Sequence, residues 1–118
     1  PNAIITNQPL VNISSYGERR RHSTSLHLAQ SCSAAQVSRA MKSIETVCEE
    51  HPEIDKWKVY LKEILPWGYR IKYRFWVTHY KEYHRVVGEV NVSILDSFET
   101  DGISLADVPY AALNRVED

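Results

Sequence analysis

This sequence contains few of the residues on which several classes of protein depend. Cysteine occurs twice in 118 residues and glycine four times. Two cysteines are too few for a disulfide framework, so Cys32 and Cys48 are interpreted as reduced thiols, although one bridge between them is possible. The glycines are scattered, and no glycine-rich loop follows a strand to hold a phosphate. Neither a disulfide-stabilised mini-protein nor a nucleotide-binding loop is indicated.

Long hydrophobic runs and a strong charge of one sign are also missing. No uncharged apolar stretch approaches the ~18 residues needed to span a bilayer. Residues 86–95 come closest, and Glu89 and Asn91 interrupt them. A net charge of −1 provides no overall attraction to nucleic acid or to an acidic membrane. The first ten residues show no signal-peptide pattern. Because the chain begins with Pro1, we expect either a processed protein or a fragment of a longer one, and we favour the fragment.

The clearest positive pattern is a strict alternation over residues 69–78. One set of alternating positions carries the apolar side chains of Tyr69, Ile71, Tyr73, Phe75 and Val77. The other set carries Arg70, Lys72, Arg74, Trp76 and Thr78. A period of two in aromatic and β-branched residues predicts a strand that buries one face and leaves the other to water or to a second surface.

The remaining periodicities predict an α+β domain around that strand. We expect strands over residues 22–29, 56–64 and 103–108, and helices over 34–50 and about 79–100. Ser33 is the predicted N-cap of the first helix, and Asp101-Gly102 is predicted to end the second. Pro66-Trp67-Gly68 predicts an antiparallel hairpin. The resulting β-α-β-β-α-β order is that of ferredoxin-like domains, here preceded by an N-terminal orphan strand.

No constellation of residues predicts catalysis or metal binding. His22 and His27 have opposite parity on a strand, whereas His79 and His84 diverge around a helix. The fifth histidine, His51, ends the first helix. Zinc sites need clustered ligands, and a nucleophilic thiol needs an activating base. We therefore predict no enzyme activity, no metal and no cofactor.

The basic face of the central strand allows two interpretations. Arg70, Lys72, Arg74 and Trp76 could hold single-stranded nucleic acid, because basic residues interleaved with aromatics do so on open sheets. On this strand, however, Trp76 is the only aromatic residue on the open face, and the net charge adds no attraction. A solvated face or a subunit contact is the favoured interpretation, and nucleic acid is not an expected partner.

The N-terminal segment carries a family resemblance. Pro1 and Asn2 precede a short apolar strand, a turn and a second apolar run that contains Asn12 and Ser14. This order resembles the segment that closes the middle β-domain in the small-conductance mechanosensitive ion channel family. Ile13 departs from the pattern, since an aromatic residue is commoner there.

The rest of the chain is similar in order and spacing to the C-terminal cytoplasmic α/β domain of that family. The similarity includes a helix that ends in His51-Pro52-Glu53, and it extends over about residues 1–108. It implies three parts: the end of a middle β-domain with its joint (1–18), the cytoplasmic α/β domain (19–108) and a tail (109–118).

The resemblance also implies a function. The chain would be the cytoplasmic vestibule and assembly part of a channel held in the inner cell membrane by helices upstream. Seven copies would form a ring, and membrane tension would open the pore to release ions and small solutes in hypo-osmotic shock. The residues expected to line the vestibule or contact a subunit are Arg70, Lys72, Arg74 and Trp76. The residues expected in a ring-forming strand are Ile103, Leu105 and Val108.

The alternative interpretation is a free-standing ferredoxin-like regulatory module that binds a small metabolite. This architecture hosts many functions, so the fold alone does not choose between them. Apolar spans encoded upstream of Pro1 would favour the channel, whereas a neighbouring catalytic domain would favour the metabolite module.

Overall fold

The computed structural model describes residues 18–109, which form three strands and two helices. The elements are β1 (Arg20–Ala29), α1 (Ala34–Glu50), β2 (Ile54–Leu65), β3 (Gly68–Val77) and α2 (Tyr83–Asp101). A 3-10 turn, Tyr80–Glu82, precedes α2. The predicted α+β class is confirmed. Nearly all of the predicted segments 1–18 and 109–118 lies outside the described residues.

β3 is the central strand of an antiparallel sheet with the order β1-β3-β2. The predicted hairpin joins β2 to β3, with Leu65 paired to Gly68. β2 is irregular between Ile54 and Lys56 and again between Leu61 and Glu63. A bulge inserts an extra residue and shifts the parity of the strand. This shift explains why the apolar alternation slips along β2 in the sequence.

Helix α1 begins and ends where its sequence pattern predicts. The Ser33 hydroxyl accepts a hydrogen bond from the Gln36 backbone N–H, and the Gln36 side chain accepts one from the Ser33 backbone N–H. This reciprocal capping box satisfies two free donors at the helix start. The helix ends before His51, because Pro52 disfavours a helical conformation in the residue that precedes it.

Helix α2 starts four residues later than predicted, because the 3-10 turn occupies the intervening positions. The helix ends at Gly102, whose φ of 68° lies in the left-handed region that glycine adopts without strain. Within the described residues, no helix is both long and apolar enough to cross a membrane.

The core lies between one face of the sheet and both helices. Phe75 and Ile71 are fully buried on β3, as predicted from their parity. The helices contribute one buried stripe each: Val37, Ala40, Ile44 and Cys48 from α1, and Val86, Val90, Ile94 and Phe98 from α2. Burying large apolar side chains contributes ~1.5–3 kcal/mol each, so this layer supplies the main stabilisation of the domain.

Gly68 marks a close approach between β3 and β1. A Cβ atom at this position would lie 2.3 Å from the backbone oxygen of Leu28 and 3.3 Å from the Cβ of Ala106. Any side chain there would push the strand ends apart, so glycine is required by contact with backbone atoms.

The predicted short strand over 103–108 is wrong in extent. The segment forms one isolated antiparallel bridge, between Leu105 and Leu28. The Ala29 N–H donates to the Ser104 oxygen at 2.9 Å, and the Ala106 N–H donates to the His27 oxygen at 2.8 Å. Asp107 and Pro109 follow, and both residue types are depleted in strands. The bridge still places this segment beside β1, the position of the fourth strand in a ferredoxin-like sheet.

Candidate functional site

The face of the sheet that points away from the helices is assembled from all three strands. On β3 it carries the predicted residues Arg70, Lys72, Arg74 and Trp76, all of them half-buried. Residues paired directly across antiparallel strands point to the same face. The register therefore adds Arg21, Ser23, Ser25 and His27 from β1, and Lys56, Lys58, Tyr60 and Glu63 from β2. These twelve residues are called the open face below.

The open face is strongly basic although the chain is almost neutral. Its cations are Arg21, Lys56, Lys58, Arg70, Lys72 and Arg74, and Glu63 is its one carboxylate. Arg70 Nη1 pairs with Glu63 Oε1 at 3.1 Å, and Arg70 Nε donates to His27 Nε2 at 3.2 Å. Among the described residues the other five cations form no ion pair. Five positive charges are thus left without a counter-charge on one surface.

Arg74 is the most constrained of these cations. Lys58 lies directly opposite it on β2 and Ser23 on β1. Its Nη2 is 3.5 Å from the Tyr60 hydroxyl oxygen, at the limit of a hydrogen bond. Its Nε is shielded from solvent and has no hydrogen-bond partner in the described part of the chain. Buried N–H donors are normally paired, so the fold leaves this donor unsatisfied among the described residues.

The aromatic rings beside the open face are already in contact with cations or with another ring. Lys56 Nζ lies 4.9 Å from the centroid of the Trp76 ring, and Lys58 Nζ lies 5.6 Å from that of Tyr60. These are cation–π distances. The Trp67 ring, in the hairpin turn, packs against His27 at 5.2 Å. The rings therefore support the cations of the face rather than offering empty stacking platforms.

Sequence reasoning found one strand of this site and missed the other two. The β3 residues followed from parity alone. Lys56, Lys58 and Tyr60 were missed because the bulge in β2 conceals which of its residues share a face with Arg74. The signal available in the sequence was the hairpin itself, since counting back from Gly68 pairs Lys58 with Arg74 once one extra residue is allowed.

The three residues predicted for a ring-forming strand have different surroundings. Ile103 is 6% exposed and belongs to the core. Leu105 is 43% exposed and makes the bridge to Leu28. Val108 is half-buried. Of the three, Leu105 presents the most apolar surface for contact with another chain.

A second polar cluster joins the end of α1 to α2. His51 Nδ1 accepts from the Glu53 N–H at 3.1 Å, and its Nε2 lies 2.9 Å from Glu89 Oε1. Arg85 contacts Glu89, Glu82 and Glu53. The hydrogen bond from His51, followed by that from Arg85, lowers the pKa of the Glu89 carboxyl. The hydrogen bonds that Arg85 donates to the Glu53, Glu82 and Glu89 carboxylates raise its pKa. Arg85 and Glu89 are exposed and His51 and Glu53 are half-buried, and their contacts hold the α1–β2 connection against α2.

His22 lies at the other end of the helix layer, on the core side of β1. Its Nδ1 is 2.7 Å from the Tyr83 hydroxyl oxygen, and its ring packs against Phe75 at 5.2 Å. Burial, and then the charge of Arg20, lower the pKa of His22. Because Tyr83 lies 61 residues away along the chain, no local pattern predicts this contact.

Both thiols lie in the core. Cys48 is fully buried on α1, and burial, followed by the charge of Glu45, raises its pKa to about 12. Cys32 is 5% exposed, and its Sγ donates to the Ser104 oxygen at 3.7 Å. A thiol that is enclosed in the core is a poor nucleophile. Within residues 18–109, no three His, Cys, Asp or Glu side chains are placed to share a metal ion.

The sequence of residues 22–105 matches the family described as mechanosensitive ion channel MscS, C-terminal. Two relatives come from Methanocaldococcus jannaschii. The small-conductance mechanosensitive channel MscMJ is 25% identical over 113 residues, which cover 93% of this chain and 32% of MscMJ. The large-conductance mechanosensitive channel MscMJLR is 23% identical over 125 residues, which cover the whole chain and 34% of MscMJLR. The chain thus spans about a third of each relative.

Solved structures share the fold. The cryo-EM structure of Arabidopsis thaliana MSL1 superposes with a TM-score of 0.67 at 12% identity, covering 77% of this chain and 35% of MSL1. Helicobacter pylori MscS in its closed state gives a TM-score of 0.62 at 15% identity, covering 86% of this chain and 38% of that protein. At these identities the likeness is one of backbone architecture.

Proposed function

The chain belongs to the family of C-terminal domains of MscS mechanosensitive ion channels, and on that premise we propose that it is the cytoplasmic vestibule and assembly domain of a tension-gated channel. The observation that carries the proposal is the family match over residues 22–105, most of the described region. The family resemblance inferred from the sequence is confirmed by that match.

In the proposed channel, helices outside this chain lie in the inner membrane and this domain lies on the cytoplasmic side. Seven copies form a ring around a hollow vestibule, and membrane tension opens the pore to release solutes in hypo-osmotic shock. A direct test is patch-clamp recording of the full-length protein in spheroplasts under graded suction. Tension-dependent currents are expected; a membrane that stays silent up to the lytic tension would contradict the proposal.

The open face has a specific role in this proposal. Five of its cations form no ion pair within residues 18–109, and they raise the local concentration of anions, as rings of charged side chains do near a pore. We place it on the vestibule wall, with the helix layer behind it. The bridge at Leu105 and the hydrogen bond from the Ala106 N–H to the His27 oxygen lie beside β1. Leu105 and Val108 are proposed to pair with copies of themselves around the ring, anchored by buried Ile103.

The wall assignment is tested by reversing the charge of Arg70, Lys72 and Arg74 to glutamate in the full-length channel. In a salt gradient, the reversal potential of the current should shift toward the equilibrium potential of the cation. The matched control reverses Arg39 and Lys42 on α1 and Lys81 in the 3-10 turn, three exposed residues that are not part of the open face. Equal shifts for the two triple variants would contradict the wall assignment. If the channel with Arg70, Lys72 and Arg74 reversed no longer assembles, the open face is a subunit contact and not a vestibule wall.

A further inference from the structure

The open face combines three properties that a surface used only for solvation does not need. Like charges lie directly opposite each other, as in the pair formed by Arg74 and Lys58. Such pairs destabilise a sheet. The Arg74 Nε is buried and unpartnered among the described residues. The aromatic rings that border these cations hold lysine side chains over their faces.

From these observations we infer that the open face binds a linear oligophosphate, with Arg74, Lys58 and Lys72 as the central cations. Guanidinium and ammonium groups bind phosphate oxygens through charge-assisted hydrogen bonds. Neighbouring strands lie about 4.8 Å apart and alternate residues about 6.8 Å apart along a strand. The three cations therefore surround a short path across β2 and β3 that a chain of phosphate groups can follow.

The occupied aromatic rings distinguish this ligand from nucleic acid. Single strands bind to open sheets largely by stacking bases on exposed rings. Here Trp76 and Tyr60 each carry a lysine ammonium group, and Trp67 contacts His27. A ligand recognised by its charge alone leaves those contacts intact, whereas a base would have to displace them.

The inference goes beyond the proposed channel role, because it concerns binding to the domain itself. The test is calorimetric titration of the 118-residue chain with sodium tripolyphosphate at low salt. We expect saturable binding that weakens about tenfold or more in Arg74→Gln, because a charge-assisted donor is removed. A Lys58→Gln, Lys72→Gln double variant should weaken binding similarly. Affinity should also fall steeply as sodium chloride is added, as for other ligands bound through multiple charges.

The control is Lys42→Gln, which removes one exposed positive charge from α1. It changes the net charge by the same one unit as Arg74→Gln, so a difference between the two variants reports the place of the charge. The affinity of the Lys42 variant for tripolyphosphate should stay within about twofold of that of the parent. Circular dichroism melts establish that each variant is folded. Three results would overturn the inference: no saturable heat with tripolyphosphate, equal weakening in the Lys42 and Arg74 variants, or tighter binding of oligothymidylate of matched charge. Channel recordings do not enter this test, so its failure leaves the channel proposal standing.

Discussion

Successive residues of β3 point to opposite faces of the sheet, and the two faces have different roles. Phe75 is fully buried beneath the helices, whereas its neighbour Trp76 lies half-buried on the open face. On the core face each side chain is fixed by packing, and a change there disturbs folding. On the open face the side chains repel one another and gain little from packing. Repulsion of this kind does not stabilise the sheet, which is consistent with the partner-binding role proposed for the open face.

The largest effect should come from truncating the core face. Phe75→Ala removes a fully buried ring and should lower the free energy of unfolding by about 3–5 kcal/mol. Trp76→Ala removes a larger side chain from a half-buried site. It should lower the free energy of unfolding by about 1 kcal/mol, because folding buries only part of the apolar surface of that side chain. Urea unfolding followed by circular dichroism measures both. Equal losses for the two variants would show that the open face is also part of the core.

A smaller loss of stability is expected from a substitution at Gly68, where β3 lies close to the backbone of β1. Gly68→Ala places a Cβ atom against the Leu28 oxygen and should destabilise the domain by about 1–3 kcal/mol, as overpacking does. Gly88→Ala is the matched control. Nothing lies within 4 Å of a Cβ atom at that exposed helical position, so it should stabilise the domain by about 0.5–1 kcal/mol. The same sign for both variants would contradict the close approach at Gly68.

The smallest effect should have the opposite sign. Lys58→Glu replaces the like charge opposite Arg74 by a complementary one and should raise the free energy of unfolding by about 0.2–1 kcal/mol. The same variant should lose tripolyphosphate binding. Lys42→Glu on α1 provides the control for a charge change away from the open face. A destabilised Lys58→Glu variant would mean that Lys58 and Arg74 do not repel each other in the folded domain.

Local patterns determined most of what the sequence could predict. The first helix followed from its apolar period and from Ser33, and both ends agree with the structure because its cap and its stop signal are adjacent in sequence. The faces of β3 followed from parity in the same way. The later start of α2 was missed, since Tyr80–Glu82 continues the helical pattern of polar and apolar residues while adopting the tighter 3-10 geometry.

Contacts between distant residues could not be predicted. The membership of Lys58 in the open face depends on the bulge between Leu61 and Glu63, which follows from pairing and not from composition. The single bridge at Leu105 depends on how Ile103 is anchored beneath α2. Of the candidate site, the sequence therefore predicted the strand with the strongest alternation, and the register with its neighbours supplied the remainder.

The segregation of charge has one more consequence. At least six of the chain's 14 lysines and arginines lie on the open face, together with one of its 15 acidic residues. Within residues 18–109 the open face is therefore a patch of predominantly one sign on a chain whose net charge is close to zero. Such a patch attracts an anionic neighbour at short range, before the two surfaces touch. An approaching anionic surface would therefore be turned toward the sheet and not toward the helices.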